Sequence, residues 1–225
     1  MMWSQNRCPG VYVPDMRRLK WLTRWALIAL GAVVAILLLA HLALRPNADR
    51  ADSEQYVVYS AYIEPNLTGD SPDLGSRSGL IVIHGNTIVS DQFVNKSKFN
   101  QYRFLLGTAG HAKATIPQLR RSVLSEFFIA NLRDEQLERR FHLSAKYELA
   151  TKQEMNLYPS EPFIRRFPHS YGYLTFSRVA FNRDLAEAFF YTEHVCGMCG
   201  EGKYVFMRKV HGNWVVERTA STWIS

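Results

Sequence analysis

The strongest constraint on this chain is an uninterrupted apolar run from Trp25 to Leu44, WALIALGAVVAILLLAHLAL, in which His41 is the single polarisable side chain and nothing is charged. About 20 apolar residues at about 1.5 Å each match a bilayer core of about 30 Å, so the run predicts a transmembrane signal-anchor helix over 21–44 that meets the lipid bilayer. Arg17, Arg18, Lys20 and Arg24 precede it, whereas Arg45 and Arg50 are mixed with Asp49, Asp52 and Glu54 after it. Basic flanks stay in the cytoplasm. Residues 1–20 are therefore expected inside as a basic N-terminus, 45–53 as a linker, and 54–225 as one α+β domain on the far side. A cleaved signal peptide is the competing reading; the run is longer than an ordinary signal core, and no clean small-x-small site precedes Ala48. Met16 opens a compact basic stretch, MRRLKWLTR. Either the chain starts there or residues 1–15 are a short disordered tail.

Charge has to be divided before it is interpreted. The whole chain carries 27 Lys plus Arg against 20 Asp plus Glu, a net +7. Residues 1–44 hold five of the positive and one of the negative side chains, which leaves 22 against 19 beyond them. The larger part of the excess, +4 of the +7, thus belongs to the insertion signal. Nucleic-acid binding, which needs basic residues gathered on one face, is not expected. Arg120, Arg121, Arg133, Arg139 and Arg140 alternate with Glu126, Asp134, Glu135 and Glu138 and read as a solvated face.

Periodicity organises the exported part. Asp52 and Gln55 resemble a capping box, after which Tyr56, Tyr59 and Ile63 share a helical face until Pro65. Glu64 to Gly79 reads as a loop whose Asp70 and Asp73 lack calcium-loop spacing. Leu80 to Ile83 and Thr87 to Val89 look like strands; residues 90–114 carry no firm pattern. Thr115, Pro117 and Gln118 suggest a helix start, with Leu119, Val123, Phe127 and Ala130 at helical spacing, an aromatic stripe of the kind that faces a core. Phe141 to Leu149 alternates like a half-buried strand, and Ser160 to Pro168 suggests a short helical turn. Four β-branched and aromatic runs close the chain: Tyr173–Phe181, Leu185–Glu193, Lys203–Val210 and Trp214–Trp223. Short connections between them predict a four-strand antiparallel meander packed on helices.

The local chemistry that can be argued lies in the loop Glu193-His194-Val195-Cys196-Gly197-Met198-Cys199-Gly200-Glu201-Gly202. Cys196 and Cys199, on the oxidising side, are spaced for a small disulfide ring, with Gly197, Gly200 and Gly202 shaping the backbone around it. A redox-active pair is one alternative, since His194 and Lys203 supply charge. A metal site on His194, Cys196 and Cys199, completed by His211, is the other, although no second cysteine pair exists and zinc wants four ligands. No catalytic residue, metal or cofactor is assigned from the pattern. Gly197 to Lys203 satisfies G-x-x-x-x-G-K, but Tyr204 then opens a strand where a phosphate loop needs Ser or Thr and a helix. His84, His111, His142 and His169 have no partner at informative spacing and read as surface or core histidines.

Phe176-Ser177-Arg178-Val179-x-Phe181-Asn182, Cys196-Gly197-x-Cys199-Gly200-x-Gly202, Gly212-x-Trp214 and Trp223-Ile224-Ser225 together resemble a group of uncharacterised exported or membrane-anchored bacterial proteins. Val58-Tyr59-Ser60-Ala61 and the Ile81 to Thr87 strand resemble the start of their domain. The resemblance spans most of residues 54–225, departs at Ala180, where the group tends to have glycine, and implies a bacterial inner-membrane address with a periplasmic C-terminal domain. It brings no activity. The expectation is a non-enzymatic binding or envelope-associated module with a protein or small-molecule partner; a periplasmic thiol-redox or metal-dependent protein built on Cys196 and Cys199 is the alternative.

Overall fold

The computed structural model describes residues 30–33, 49–68, 79–88, 107, 110–170, 172–196 and 200–225. The chain divides into two compact units, Met1–Asp49 and Arg50–Ser225. Of the first, residues 30–33 and residue 49 are described, both as helix. In the second, a seven-stranded mixed sheet runs β2-β1-β3-β5-β6-β7, with β4 also paired to β5. Its strands are β1 (Leu80–His84), β2 (Lys146–Ala150), β3 (Tyr173–Phe176), β4 (Ala180–Phe181), β5 (Glu187–Val195), β6 (Glu201–Val210) and β7 (Asn213–Ile224). Among the described residues five α-helical segments flank it: α1 (49–63), α2 (110–115), α3 (Arg121–Ala130), α4 (Lys152–Met155) and α5 (Glu161–Arg166).

Two expectations are corrected here. Among the described residues no helix is long and apolar enough to cross a membrane. The remainder of the expected anchor, 21–29 and 34–44, lies outside the described residues. A transmembrane helix followed by a meander on helices is therefore not the architecture found. The sheet dominates, and its antiparallel strands are one side of a mixed sheet: β1 pairs in parallel with both β2 and β3. The physical reason is visible in LIVIH, a strand without polar alternation until its last residue, which suits a parallel strand covered on both faces. Parallel neighbours need long crossovers, and the helices α2 to α5 lie in the two that join β1 to β2 and β2 to β3.

Both faces of the sheet are covered. On one, α1 presents Tyr56, Tyr59, Tyr62 and Ile63 at i, i+3, i+4 spacing against Ile81, Ile83, Leu174, Phe176, Phe190, Val205 and Met207. Tyr59 is fully buried, lies 4.7 Å centroid to centroid from Phe176, and donates its hydroxyl to Ser177 O at 2.7 Å. Burying a ring of this size stabilises by about 1.5 to 3 kcal/mol relative to leaving it exposed. The helix is under way before Asp52, so Gln55 Nε2 donates to Asp52 Oδ1 inside it, at 3.3 Å, instead of in a cap. Beyond residue 63 the helix widens into a π turn, Glu64–Thr68, because Pro65 lacks the N–H that a further α turn uses.

The opposite face carries two separate apolar clusters. Ala112 from α2, Val123 and Phe127 from α3, and Ile116 and Leu119 from the turn between them cover Phe189, Tyr191, Tyr204 and Phe206. Met155, Phe163 and Phe167 from α4 and α5 cover Val82, Tyr173 and Val195. Thr115 ends α2 instead of starting a helix; Pro117 and Gln118 form the turn before α3. Phe141 to Leu149 does alternate against the α1 cluster, yet only its second half is close enough to β1 to pair.

Candidate functional site

Strand alternation and register place a line of polar side chains across the helix-divided face. Ile83 pairs with Leu174, which carries His84 to the level of Thr175. Thr175 pairs with Glu193, Glu193 with Gly202, and Gly202 with Trp223. Val82, Tyr173 and Val195 fix the face on one side of this row, and Tyr191 and Tyr204 on the other. The row therefore runs along the seam between the two apolar clusters. With strands about 4.8 Å apart, His84 and Glu193 stand about 10 Å from each other, with Thr175 between them.

All three side chains are withdrawn from solvent: His84 is 2% exposed, Thr175 and Glu193 0%. His84 Nδ1 lies 2.7 Å from Asn86 O and 3.1 Å from Asn86 N. Its Nε2 and the hydroxyl of Thr175 have no hydrogen-bond partner among the described residues. Leaving such a group unmade in a core costs about 1 to 3 kcal/mol, so two on neighbouring strands of one face are a feature to be explained. Glu193 Oε1 accepts from Tyr191 Oη at 2.8 Å and from Trp223 Nε1 at 3.3 Å, while the same indole N–H approaches Tyr191 Oη at 3.0 Å. Burial pushes the Tyr191 hydroxyl well above its ordinary range, and the neighbouring Glu193 charge pushes it further, so Tyr191 remains a donor throughout the physiological range.

Gly202 makes this convergence possible. A Cβ there would overlap the Trp223 indole nitrogen and the Tyr191 hydroxyl. Gly200 acts nearby: a Cβ would stand 2.9 Å from the Trp223 ring, and Gly200 N donates to Ser225 Oγ at 2.9 Å. Two of the expected loop-shaping glycines thus serve the packing of the C-terminal tryptophan, and Gly202 lies inside β6 instead of in the loop. Gly197 and Cys199 lie outside the described residues, so the expected Cys196–Cys199 bridge is not part of the described structure; Cys196 itself is disulfide-bonded. His194 falls on the sheet face opposite Glu193 by strand alternation. His211 sits at the β6–β7 turn, the whole ten-residue length of β6, about 30 Å, from the cysteine loop and cannot complete a site there. Among the described residues no group of three or more His, Cys, Asp or Glu side chains could hold a metal ion.

Sequence reasoning reads His84 as a surface or core histidine, and it is a core one, but gives no role to Thr175 or Glu193. The signal that marks them is a polar residue at a period-two position in a strand whose neighbours on both faces are apolar: the last residue of LIVIH, the third of YLTF and the seventh of EAFFYTEHV. No family model, curated protein or solved structure matches this chain.

Proposed function

We propose that residues 50–225 form a binding module, not an enzyme, and that its ligand is a small polar molecule held on the His84, Thr175 and Glu193 row. The observation that carries this reading is the pair of buried polar atoms, His84 Nε2 and Thr175 Oγ1, without partners among the described residues in a sheet face otherwise packed with apolar groups. A fold keeps such groups where a guest completes their bonds, because the same stability would come more easily from Val or Phe.

The order of the row argues against nucleophilic catalysis. A hydroxyl nucleophile needs an imidazole beside it and an acid behind that imidazole. Here the hydroxyl stands in the middle, the carboxylate lies on its far side, and the second imidazole nitrogen is engaged by the Asn86 backbone. The three groups converge as ligand contacts better than as a proton relay.

The test is to incubate the full chain with the small-molecule fraction of a cell extract, wash, denature and identify by mass spectrometry what is released. Wild type is expected to return a species of unchanged mass at near-stoichiometric yield, and His84→Leu to lose it. Recovery of a chemically altered species would make the protein an enzyme, and identical retention by His84→Leu would remove the row from the site.

A further inference from the structure

We infer that the domain carries a second binding site, separate from the His84 row, at the free edge of the sheet, and that it takes an organic anion: a carboxylate or phosphate head on an aromatic body. A cavity of about 450 Å³ is lined by Leu80, Arg139, Ala145, Lys146, Tyr147 and Glu148. That volume lies within the roughly 300 to 1,000 Å³ of small-molecule sites. β2 is the last strand on its side of the sheet and pairs with β1 alone. Successive side chains of a strand point to opposite faces, so a cavity touching the consecutive residues 145 to 148 wraps the start of β2 at its outer edge instead of lying over either face. Leu80 pairs with Lys146 and His84 with Ala150, which sets the cavity and the row about 13 Å apart along the same two strands.

The chemistry follows from which polar groups of the lining are already engaged. Glu148 Oε2 lies 2.9 Å from Arg166 Nη1, so the carboxylate of the lining is held by a cation outside it. The Arg139 guanidinium, the Lys146 ammonium and the Tyr147 hydroxyl make no hydrogen bond or ion pair among the described residues. Two of these groups are cations that only donate, and the third is a hydroxyl that can donate as well. The head group that accepts from all three is an anion, and the planar fork of an arginine fits two oxygens of one carboxylate or phosphate. The Tyr147 ring is half-buried and packs edge to face with Phe141, 5.4 Å between centroids, which makes it a fixed apolar wall beside Leu80 and Ala145. A lysine on an edge strand also discourages strand pairing, but that role needs neither an arginine from the preceding loop nor an aromatic wall.

The experiment titrates the full chain with phenyl phosphate, benzoate, inorganic phosphate and benzylamine, read by thermal shift and by NMR of the Arg139 side-chain N–H. The expected result is saturable binding of phenyl phosphate or benzoate, the tighter of the two identifying the head group, and no binding of benzylamine. Arg139→Gln and Lys146→Gln, singly and together, should leave the melting temperature without ligand unchanged, since both side chains are exposed. The double variant should bind the aromatic anion at least tenfold more weakly. Inorganic phosphate bound as tightly as phenyl phosphate would show that Tyr147 takes no part and overturn the inference. Binding of benzylamine, or anion binding that the double variant leaves intact, would overturn it equally. No saturable response to either aromatic anion overturns it outright, and the extract experiment on His84→Leu, which reads a different site, stands or falls separately.

Discussion

At the scale of single residues, the structure is most sensitive where three side chains meet over one glycine. Gly202→Ala puts a methyl group into the Tyr191 hydroxyl and the Trp223 indole, two groups held by each other and by Glu193. Neither is the free end of a flexible chain, so the substitution is expected to cost about 1 to 3 kcal/mol as overpacking and to shift the emission of Trp223 as its N–H leaves Tyr191 and Glu193. Denaturant unfolding of the variant checks it; an unchanged midpoint would mean the cluster yields without strain. Tyr191→Phe tests the same cluster from the other side, because it removes a donor from a fully buried carboxylate while keeping the ring. We expect a loss of about 1 to 3 kcal/mol, read by the same unfolding curve. Residue-level legibility in the sequence was uneven. Gly200 and Gly202 stand out as glycines near cysteines, yet the reason they are glycines is a tryptophan twenty-odd positions on, a cross-strand relation that spacing does not encode.

At the scale of elements, α1 is fastened to the sheet by apolar packing along its length and by a polar latch near its start. Glu54 Oε1 accepts from Lys209 Nζ at 2.5 Å and from Trp214 Nε1 at 2.6 Å, joining the first helical turns to the β6–β7 hairpin. Burial pushes the Glu54 carboxyl upward, but the hydrogen bonds from Lys209 and Trp214, with the Lys209 charge, outweigh it and leave the group below its ordinary value of 4.5. A carboxylate depressed in the folded state stabilises that state above the unfolded value and ceases to do so as the pH falls through the folded one. The latch is therefore fully present at neutral pH and fades below about 4.5. Glu54→Gln should lower neutral-pH stability by about 1 to 2 kcal/mol and flatten the acid limb of the stability profile; an acid limb identical to wild type would assign that limb to other carboxylates. The elements themselves were legible where one period dominates. Tyr56, Tyr59 and Ile63 mark α1, and the β-branched runs after Tyr173 mark strands. The Thr115 to Gln118 stretch misled because a proline serves equally at a helix start and in the turn between two helices, and the choice is made by Ile116 and Leu119, both fully buried under α3.

At the scale of the whole molecule, the part least legible was how β1 and β2 join the rest. Hairpin turns announce antiparallel neighbours: His211 and Gly212, both at positive φ, close β6 onto β7. Parallel pairing carries no such local mark, since β1 and β2 are some sixty residues apart in sequence and meet only because each needs a covered neighbour. Among the described residues, every member of the three apolar clusters lies within Arg50–Ser225, from Ala51 onward. A fragment of residues 50–225 should therefore fold alone with a cooperative transition, and native-state hydrogen exchange should rank its strands by what lies on each side of them. β5 is flanked by β3 and β4 on one edge and by β6 on the other, and eight of its nine residues are buried. Its amides can exchange only when both helical layers and the sheet come apart, so their opening free energy should approach that of global unfolding. α4 and α5, four and six residues long, rest on Val82, Tyr173 and Val195 through a few side chains, Met155, Phe163 and Phe167, and should open first. Protection in α4 and α5 equal to that in β5 would mean the domain opens in a single step, and a molten fragment would mean that residues before 50 take part in the core.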